Sequence, residues 1–324
     1  MDALLRVNDL KTFFYTPEGI AKAINGVSFS LNQSEIIGIV GESGCGKSVT
    51  ALSILRLVPH PGRIISGQIW LKGQDLLQLP IRHMRQIRGD RISMIFQEPM
   101  ISLNPAFTVG EQLMEALRVH RKMTHSEARE RAIEMLQKVE IPAPEKRFAE
   151  YPHQLSGGMR QRVMIAEALL FKPEILLADE PTTALDVTIQ AQILDMIYKL
   201  TEEIGVAVIL ITHNLGLVAE SARRLLVMYA GRVVEEGPIE AVFEKASHPY
   251  TQGLLRSIPA PGQRQGQKTQ LLYEIKGIVP SLFDLPVGCA FHPRCTTKKD
   301  MCSQEEPPWV SIGPDHHLAC WLFA

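Results

Sequence analysis

Two hydrophobic periods alternate along the chain. Ile36–Val40, Ile175–Asp179 and Val206–Ile211 are short, nearly continuous apolar runs, the pattern of buried parallel strands in a sheet covered on both faces. Between the last two runs, Ile193, Ile197, Leu200 and Ile204 recur at helical spacing, with Asp186 placed to cap the helix and Gly205 to end it. This is a strand–helix–strand crossover, and it predicts an α/β architecture. Residues 125–139 put Ala128, Ile133, Leu136 and Val139 on one face with charges opposite. With the Pro- and Asn-bearing loop before them, they predict a helical insertion. From Pro259 the sequence PAPGQRQGQKTQ reads as a linker to a small C-terminal module. No internal repeat or heptad run is found.

Composition narrows this picture. With 45% hydrophobic residues and 34 Lys+Arg against 35 Asp+Glu, the chain has material for a core and excludes bulk electrostatic attraction to nucleic acid or anionic lipid. No run approaches the roughly 18 apolar residues of a membrane span, and MDALLRVNDL lacks a secretory pattern. A soluble intracellular protein is expected. Of five cysteines, Cys45 stands alone; Cys289, Cys295, Cys302 and Cys320 fall in the last 36 residues, unlike a secreted disulfide scaffold.

The candidate chemistry begins after the first apolar run. Gly41-Glu42-Ser43-Gly44-Cys45-Gly46-Lys47-Ser48 has the form G-x-x-x-x-G-K-[ST], between a predicted strand and a helical run opening at Val49. Glycines let backbone N–H groups curl around a polyphosphate, and the helix N-terminus adds a favourable dipole. Lys47 is expected to reach the phosphates and the Ser48 hydroxyl to ligate Mg²⁺. Cys45 reads as a small residue tolerated in this loop, with a redox switch as its alternative. A second run ends in Asp179 and Glu180; in P-loop NTPases the aspartate at such a strand end holds Mg²⁺, and an adjacent glutamate would be placed to polarise the attacking water. A third ends at His213, a hydrogen-bond donor candidate for a γ-phosphate.

Leu155-Ser156-Gly157-Gly158-Met159-Arg-Gln161 resembles the signature of ATP-binding cassette (ABC) ATPases, with Met159 where Gln is commoner. Phosphate loop, Gln97, signature, Asp179-Glu180, Ala184-Leu-Asp186 and His213 stand in that family's order. The resemblance implies a P-loop NTPase fold with a helical subdomain at about 98–165 of an ATP-binding domain at 1–258. It further implies a head-to-tail pair in which Ser156, Gly157, Gly158 and Met159 face the partner's ATP and Asp186 lies in the loop joining the two sites. Glu180 would be the general base and His213 would stabilise the transferring phosphate. Gln97 would join Ser48 and Asp179 around Mg²⁺, and Phe14 or Tyr15 would stack on adenine.

Non-transport relatives acting on chromosomes interrupt the cassette with a long coiled coil, whereas 108 residues without heptads separate Lys47 from Ser156. Translation-factor relatives usually carry two cassettes. Blocks such as Gln97-Glu-Pro-Met-Ile-Ser-Leu-Asn104-Pro105, Tyr151-Pro-His-Gln, His248-Pro-Tyr-Thr251 and Gly288-Cys-Ala-Phe-His-Pro-Arg-Cys295 are similar to ATP-binding subunits of bacterial peptide and nickel importers. That branch implies ATP-driven uptake of di- or oligopeptides, with a nickel or other solute as the alternative. It implies two membrane permeases, an external substrate-binding protein, a second related ATPase or second copy, and a peripheral place on the cytoplasmic face of the inner membrane. Nucleic acid is not an expected partner.

The late cysteines read C-x5-C-x6-C-x17-C, which by spacing leaves Zn²⁺, an iron–sulfur cluster and unligated thiols open. The resemblance implies a [4Fe–4S] cluster on Cys289, Cys295, Cys302 and Cys320 within a module at 259–324. His292, His316 and His317 keep zinc as the alternative.

Overall fold

The computed structural model describes residues 3–97, 102–182, 186–258 and 274–324. The linker expected from Pro259 and the positions Ala184 and Leu185 lie outside the described residues. Two compact units divide the chain: residues 1–31, 36–77 and 211–324 form one, residues 32–35 and 78–210 the other.

In the first unit, β1 (Leu5–Thr16), β2 (Gly19–Leu31), β4 (Gly62–Leu71) and β5 (Gln74–Asp75) form an antiparallel sheet in the order β2-β1-β4-β5. A second run of strands starts from β3 (Ile36–Val40), which pairs in parallel with β9 (Arg224–Tyr229). β9 pairs antiparallel with β10 (Arg232–Pro238), β10 with β12 (His316–Ala319), and β12 with β11 (Trp309–Gly313). The last segment of the chain is thus hydrogen-bonded into the same run as the strand that precedes the phosphate loop. Its described residues also form the helices α1 (Lys47–Ile54), α8 (Leu215–Ser221), α9 (Ile239–Lys245) and α10 (Pro249–Arg256).

Glu235, fully buried on β10, fastens the terminal hairpin. Its carboxylate accepts from the backbone N–H of Ser247 at 2.9 Å and of His248 at 3.1 Å, and pairs with His316 Nε2 at 2.9 Å. A buried carboxylate persists when its lone pairs are filled in this way.

In the second unit, β6 (Ile92–Ile95) and β7 (Ile175–Asp179) pair in parallel, and β8 (Ala207–Ile211) follows in the order β8-β7-β6. Every residue of β7 and β8 is buried, which explains their unbroken apolar character. The crossover helix α7 (Val187–Ile204) ends at Gly205 in the left-handed conformation, φ 76°. Asp186 occupies its N-cap position without a side-chain capping bond. The remaining helices are α2 (Ile81–Ile87), α3 (Val109–His120), α4 (His125–Lys138), α5 (Pro144–Phe148) and α6 (Gly157–Leu169). Thr108 with Glu111 and Thr124 with Glu127 close capping boxes on α3 and α4, each contributing about 1 kcal/mol. Ala128, Ile133, Leu136 and Val139 are all buried, as the helical period requires. Among the described residues, no helix is long and apolar enough to cross a membrane.

One packed acid makes the stability of this unit pH-dependent. Burial, reinforced by the charge of Glu115, raises the pKa of Glu167 on α6 to about 7. A carboxyl protonated more readily when folded costs nothing below its unfolded pKa of about 4.5 and destabilises as pH rises toward 7. Glu167→Gln removes that penalty. Urea unfolding is expected to show a gain of about 3 kcal/mol at pH 8 that vanishes at pH 4. An equal gain at both pH values would contradict the assignment.

Candidate functional site

The first unit contains the phosphate loop. β3 ends at Val40 and the chain turns through residues 41–46 into α1, whose N-cap is Gly46. Gly41 has φ 154°, and a Cβ there would lie 2.2 Å from Met228 O; Gly46 has φ 106°, and a Cβ there would lie 2.4 Å from Ala23 O. Neither position accepts a side chain, so both glycines follow from the path of the loop. Lys47 is buried, and its Nζ donates to Gly41 O at 2.8 Å and Glu42 O at 3.1 Å. Ser43 and Gly44 are exposed at the loop tip, and Ser48 and Val49 enter the first turn of α1 half-buried. Cys45 is buried at 3.8 Å from Lys47 Nζ, and burial pushes its thiol pKa up. That works against a reactive thiolate and agrees with a small side chain filling the loop.

Phe14 and Tyr15 follow each other on β1, so they point to opposite faces. Phe14 packs against Gly62, where a Cβ would meet its ring at 2.7 Å. Tyr15 is exposed, with the Arg63 guanidinium 5.8 Å from its ring centre. His213 lies exposed just beyond the end of β8. Next to it, Asn214 caps α8 by accepting from Gly216 N–H at 3.0 Å.

The second unit holds the acidic pair and the signature. Asp179 is buried at the end of β7, while Glu180 is half-buried and takes the left-handed backbone, φ 46°. A non-glycine residue pays about 1 kcal/mol for that conformation, a cost that clusters at working sites. Gln97 Nε2 donates to Glu180 Oε2 at 3.2 Å, so two of the expected site residues meet in this unit. Ser156 is the N-cap of α6 and accepts from Met159 N–H at 3.3 Å. Ser156 and Gly157 are exposed, with Gly158 and Met159 half-buried behind them, so the free amides of a thirteen-residue helix open to the surface. Gln161, buried on α6, donates to Pro181 O, and Gln190 Nε2 donates to Thr182 O at 3.2 Å. These bonds hold the segment that follows Glu180.

Each unit carries an oxygen donor of the type magnesium takes: a buried carboxylate at Asp179 in the second and a hydroxyl at Ser48 in the first.

The four late cysteines line one pocket with His248 and His292. Burial pushes Cys289 up to about 11 and raises Cys320 as well. Each is raised further by the neighbouring cysteines, which places the thiols within electrostatic reach of one another. Among the described residues, no three His, Cys, Asp or Glu side chains converge closely enough to hold a single metal ion. Of the histidines kept as zinc ligands, only His292 lines this pocket. His316 pairs with Glu235, His292 Nδ1 lies 3.0 Å from Cys289 O, and His317 stacks on Trp309 with ring centres 6.1 Å apart.

Three contacts were not visible in the sequence. Arg294 pairs with Glu42, Tyr250 Oη accepts from Glu42 N–H at 2.8 Å, and Tyr229, Tyr250 and Phe291 pack ring against ring.

Known families match both parts of the chain. The ABC transporter family covers residues 24–183, and the oligopeptide/dipeptide transporter C-terminal region covers residues 234–302. The probable peptide ABC transporter ATP-binding protein y4tR of Sinorhizobium fredii is 52% identical over 99% of this chain and 95% of its own length. The dipeptide transport ATP-binding protein DppD of Escherichia coli is 48% identical over 98% of this chain and 96% of its own. Among solved structures, the dimeric ATP-binding cassette MJ0796 bound to ADP and Pi is similar at TM-score 0.65 and 30% identity, covering 72% of this chain and 98% of that one. The phosphate loop, the capped signature helix and the Gln97–Glu180 pair therefore sit in an established context: the chain belongs to the ABC transporter family, as an ATPase of its peptide-transport ATP-binding subunits.

Proposed function

We propose that this chain binds and hydrolyses ATP to drive uptake of di- or oligopeptides through a pair of membrane permeases fed by an external binding protein. The observation that carries this reading is the loop at residues 41–48, whose glycines admit no side chain and whose lysine is buried against the loop carbonyls. Backbone amides of Gly44, Cys45, Gly46, Lys47, Ser48 and Val49 receive the phosphates, with Lys47 supplying the charge. Tyr15, the exposed member of the aromatic pair, stacks on adenine. Ser48, Gln97 and Asp179 hold Mg²⁺, which neutralises developing charge on the phosphoryl oxygens. Glu180 accepts a proton from the attacking water, oriented by Gln97, and His213 donates to the transferring phosphate. Ser156, Gly157, Gly158 and Met159 cap the ATP of a second ATPase subunit, a copy or a relative, with Asp186 at the contact. The chain works from the cytoplasmic face of the membrane, held there by the permeases.

In this reading the ATP-binding domain spans residues 1–258 and the module 259–324, whose thiols Cys289, Cys295, Cys302 and Cys320 hold a [4Fe–4S] cluster. The lining of one pocket by all four cysteines supports this reading. The cluster staples a segment with little core of its own.

The test is uptake by the full complex in proteoliposomes, with labelled dipeptides, oligopeptides and nickel presented to the binding protein. ATP-dependent accumulation of a peptide is expected. Accumulation of nickel alone would overturn the peptide assignment. On the same anaerobically purified protein, iron and acid-labile sulfide near four each per chain are expected, and zinc without sulfide would overturn the cluster.

A further inference from the structure

Glu42, the second residue of the phosphate loop, is gripped from the cysteine-bearing segment 252 positions away. Arg294 donates from Nη1 to Glu42 Oε2 at 2.6 Å and from Nη2 to Oε1 at 2.9 Å. The guanidinium is itself fixed. Nη2 donates to Ile275 O at 3.1 Å and Nε to Lys276 O at 3.2 Å, and the cation lies within 6 Å of the Tyr229 and Phe291 ring centres. The Arg294 side chain is 3% exposed and that of Glu42 27%. A planar fork clamped by two carbonyls and two rings loses little freedom on pairing, and its burial makes the pair costly to break. From the other side, Tyr250 Oη accepts the Glu42 N–H. Lys47 Nζ holds the Gly41 and Glu42 carbonyls, and the grip on the Glu42 side chain is a second tether on a loop that Gly41, Gly44 and Gly46 leave permissive.

We propose that Arg294 is a positioning residue for nucleotide binding: by holding Glu42 it sets the loop amides for the phosphates. The folded state of the segment 289–295 thereby becomes a condition of tight ATP binding. Phe291 and Arg294 lie between Cys289 and Cys295, so whatever orders these thiols also orders the clamp. The proposal rests on reading residues 41–48 as the nucleotide loop.

The experiment measures ATPase kinetics of the chain in its transporter complex. Arg294→Ala is expected to raise KM for ATP about tenfold, with kcat at saturating ATP changed less than twofold, the pattern of lost ground-state binding. Arg294→Lys, which keeps the charge without the fork, should recover part of the loss. Glu42→Ala should raise KM likewise, and the double variant should be no worse than the worse single, because both remove one interaction.

Cysteine reactivity toward a thiol reagent separates positioning from misfolding. A raised KM in Glu42→Ala with thiol reactivity as in the wild type supports the proposal. Arg294→Ala with a KM within twofold of the wild type overturns it. So does additive loss in the double variant, and so does newly reactive thiols in Arg294→Ala beside an unaffected Glu42→Ala. Lys47→Ala runs alongside: full nucleotide binding there would overturn the loop assignment itself. A crippled Lys47→Ala beside a normal Arg294→Ala overturns the coupling alone.

Discussion

Glu180→Gln is expected to leave ATP binding intact and to lower turnover about a thousandfold, within the range removed with a general base. The glutamate follows the last residue of β7, with its backbone at φ 46° and its Oε2 hydrogen-bonded to Gln97 Nε2 at 3.2 Å. That conformation is held from both sides: the strand before it is fully buried, and Gln161 and Gln190 bond the carbonyls of Pro181 and Thr182 after it. Glutamine has nearly the same shape and can still accept from Gln97, so the local structure should survive. What it lacks is a carboxylate able to take the proton of an attacking water. Steady-state ATPase assays on the transporter complex, paired with equilibrium nucleotide binding, separate the two effects. Turnover within tenfold of the wild type, or lost binding, would contradict the role given to Glu180.

The contrast with Asp179 sharpens this division of labour. Asp179 is the last residue of β7 and is buried, while Glu180, just past the strand, is half-buried and bonded to Gln97. A buried, fixed carboxylate suits a metal ligand, and a more accessible one suits proton transfer. Their order in the sequence suggested the roles, and their different burial supplies a physical reason for them.

How much was legible before the structure depends on how local each signal is. β3, β7, β8 and α7 were readable because fully buried strands are continuously apolar and an amphipathic helix repeats at 3.6 residues. The antiparallel sheet of β1, β2, β4 and β5 left no comparable trace. β1 changes register against β2 between Val7 and Leu10, between Leu10 and Lys11, and between Thr12 and Phe14. Between Val7 and Leu10 the extra residue lies on β1 and moves its buried positions from Leu5 and Val7 to Leu10 and Thr12, so the strand shows no unbroken period of two. The phosphate loop was legible because its glycines, lysine and serine are contiguous. The Arg294–Glu42 clamp was not, since nothing in either residue's neighbourhood specifies a partner 252 positions away. His316 misled for a related reason: near four cysteines it looks like a ligand, yet its partner is the buried Glu235 on β10.

Lys47→Ala should act at the opposite stage from Glu180→Gln, on binding and not on turnover. The lysine opens α1 directly after Gly46, is 6% exposed, and spends its donors on the Gly41 and Glu42 carbonyls. A cation held there adds a full positive charge to the partial charge of the helix N-terminus, in a loop already lined with amide donors. Removing a charge-assisted contact to a phosphate in such a setting costs about 3 kcal/mol, roughly a hundredfold in the dissociation constant for ATP. Lys47→Met keeps most of the buried stem and removes only the charge. If Met and Ala lose affinity equally, the effect is electrostatic; recovery by Met would make it one of packing. Isothermal titration of the full-length chain with ATP and Mg²⁺ reads both variants. Affinity within threefold of the wild type in Lys47→Ala would remove the loop at residues 41–48 from the nucleotide site.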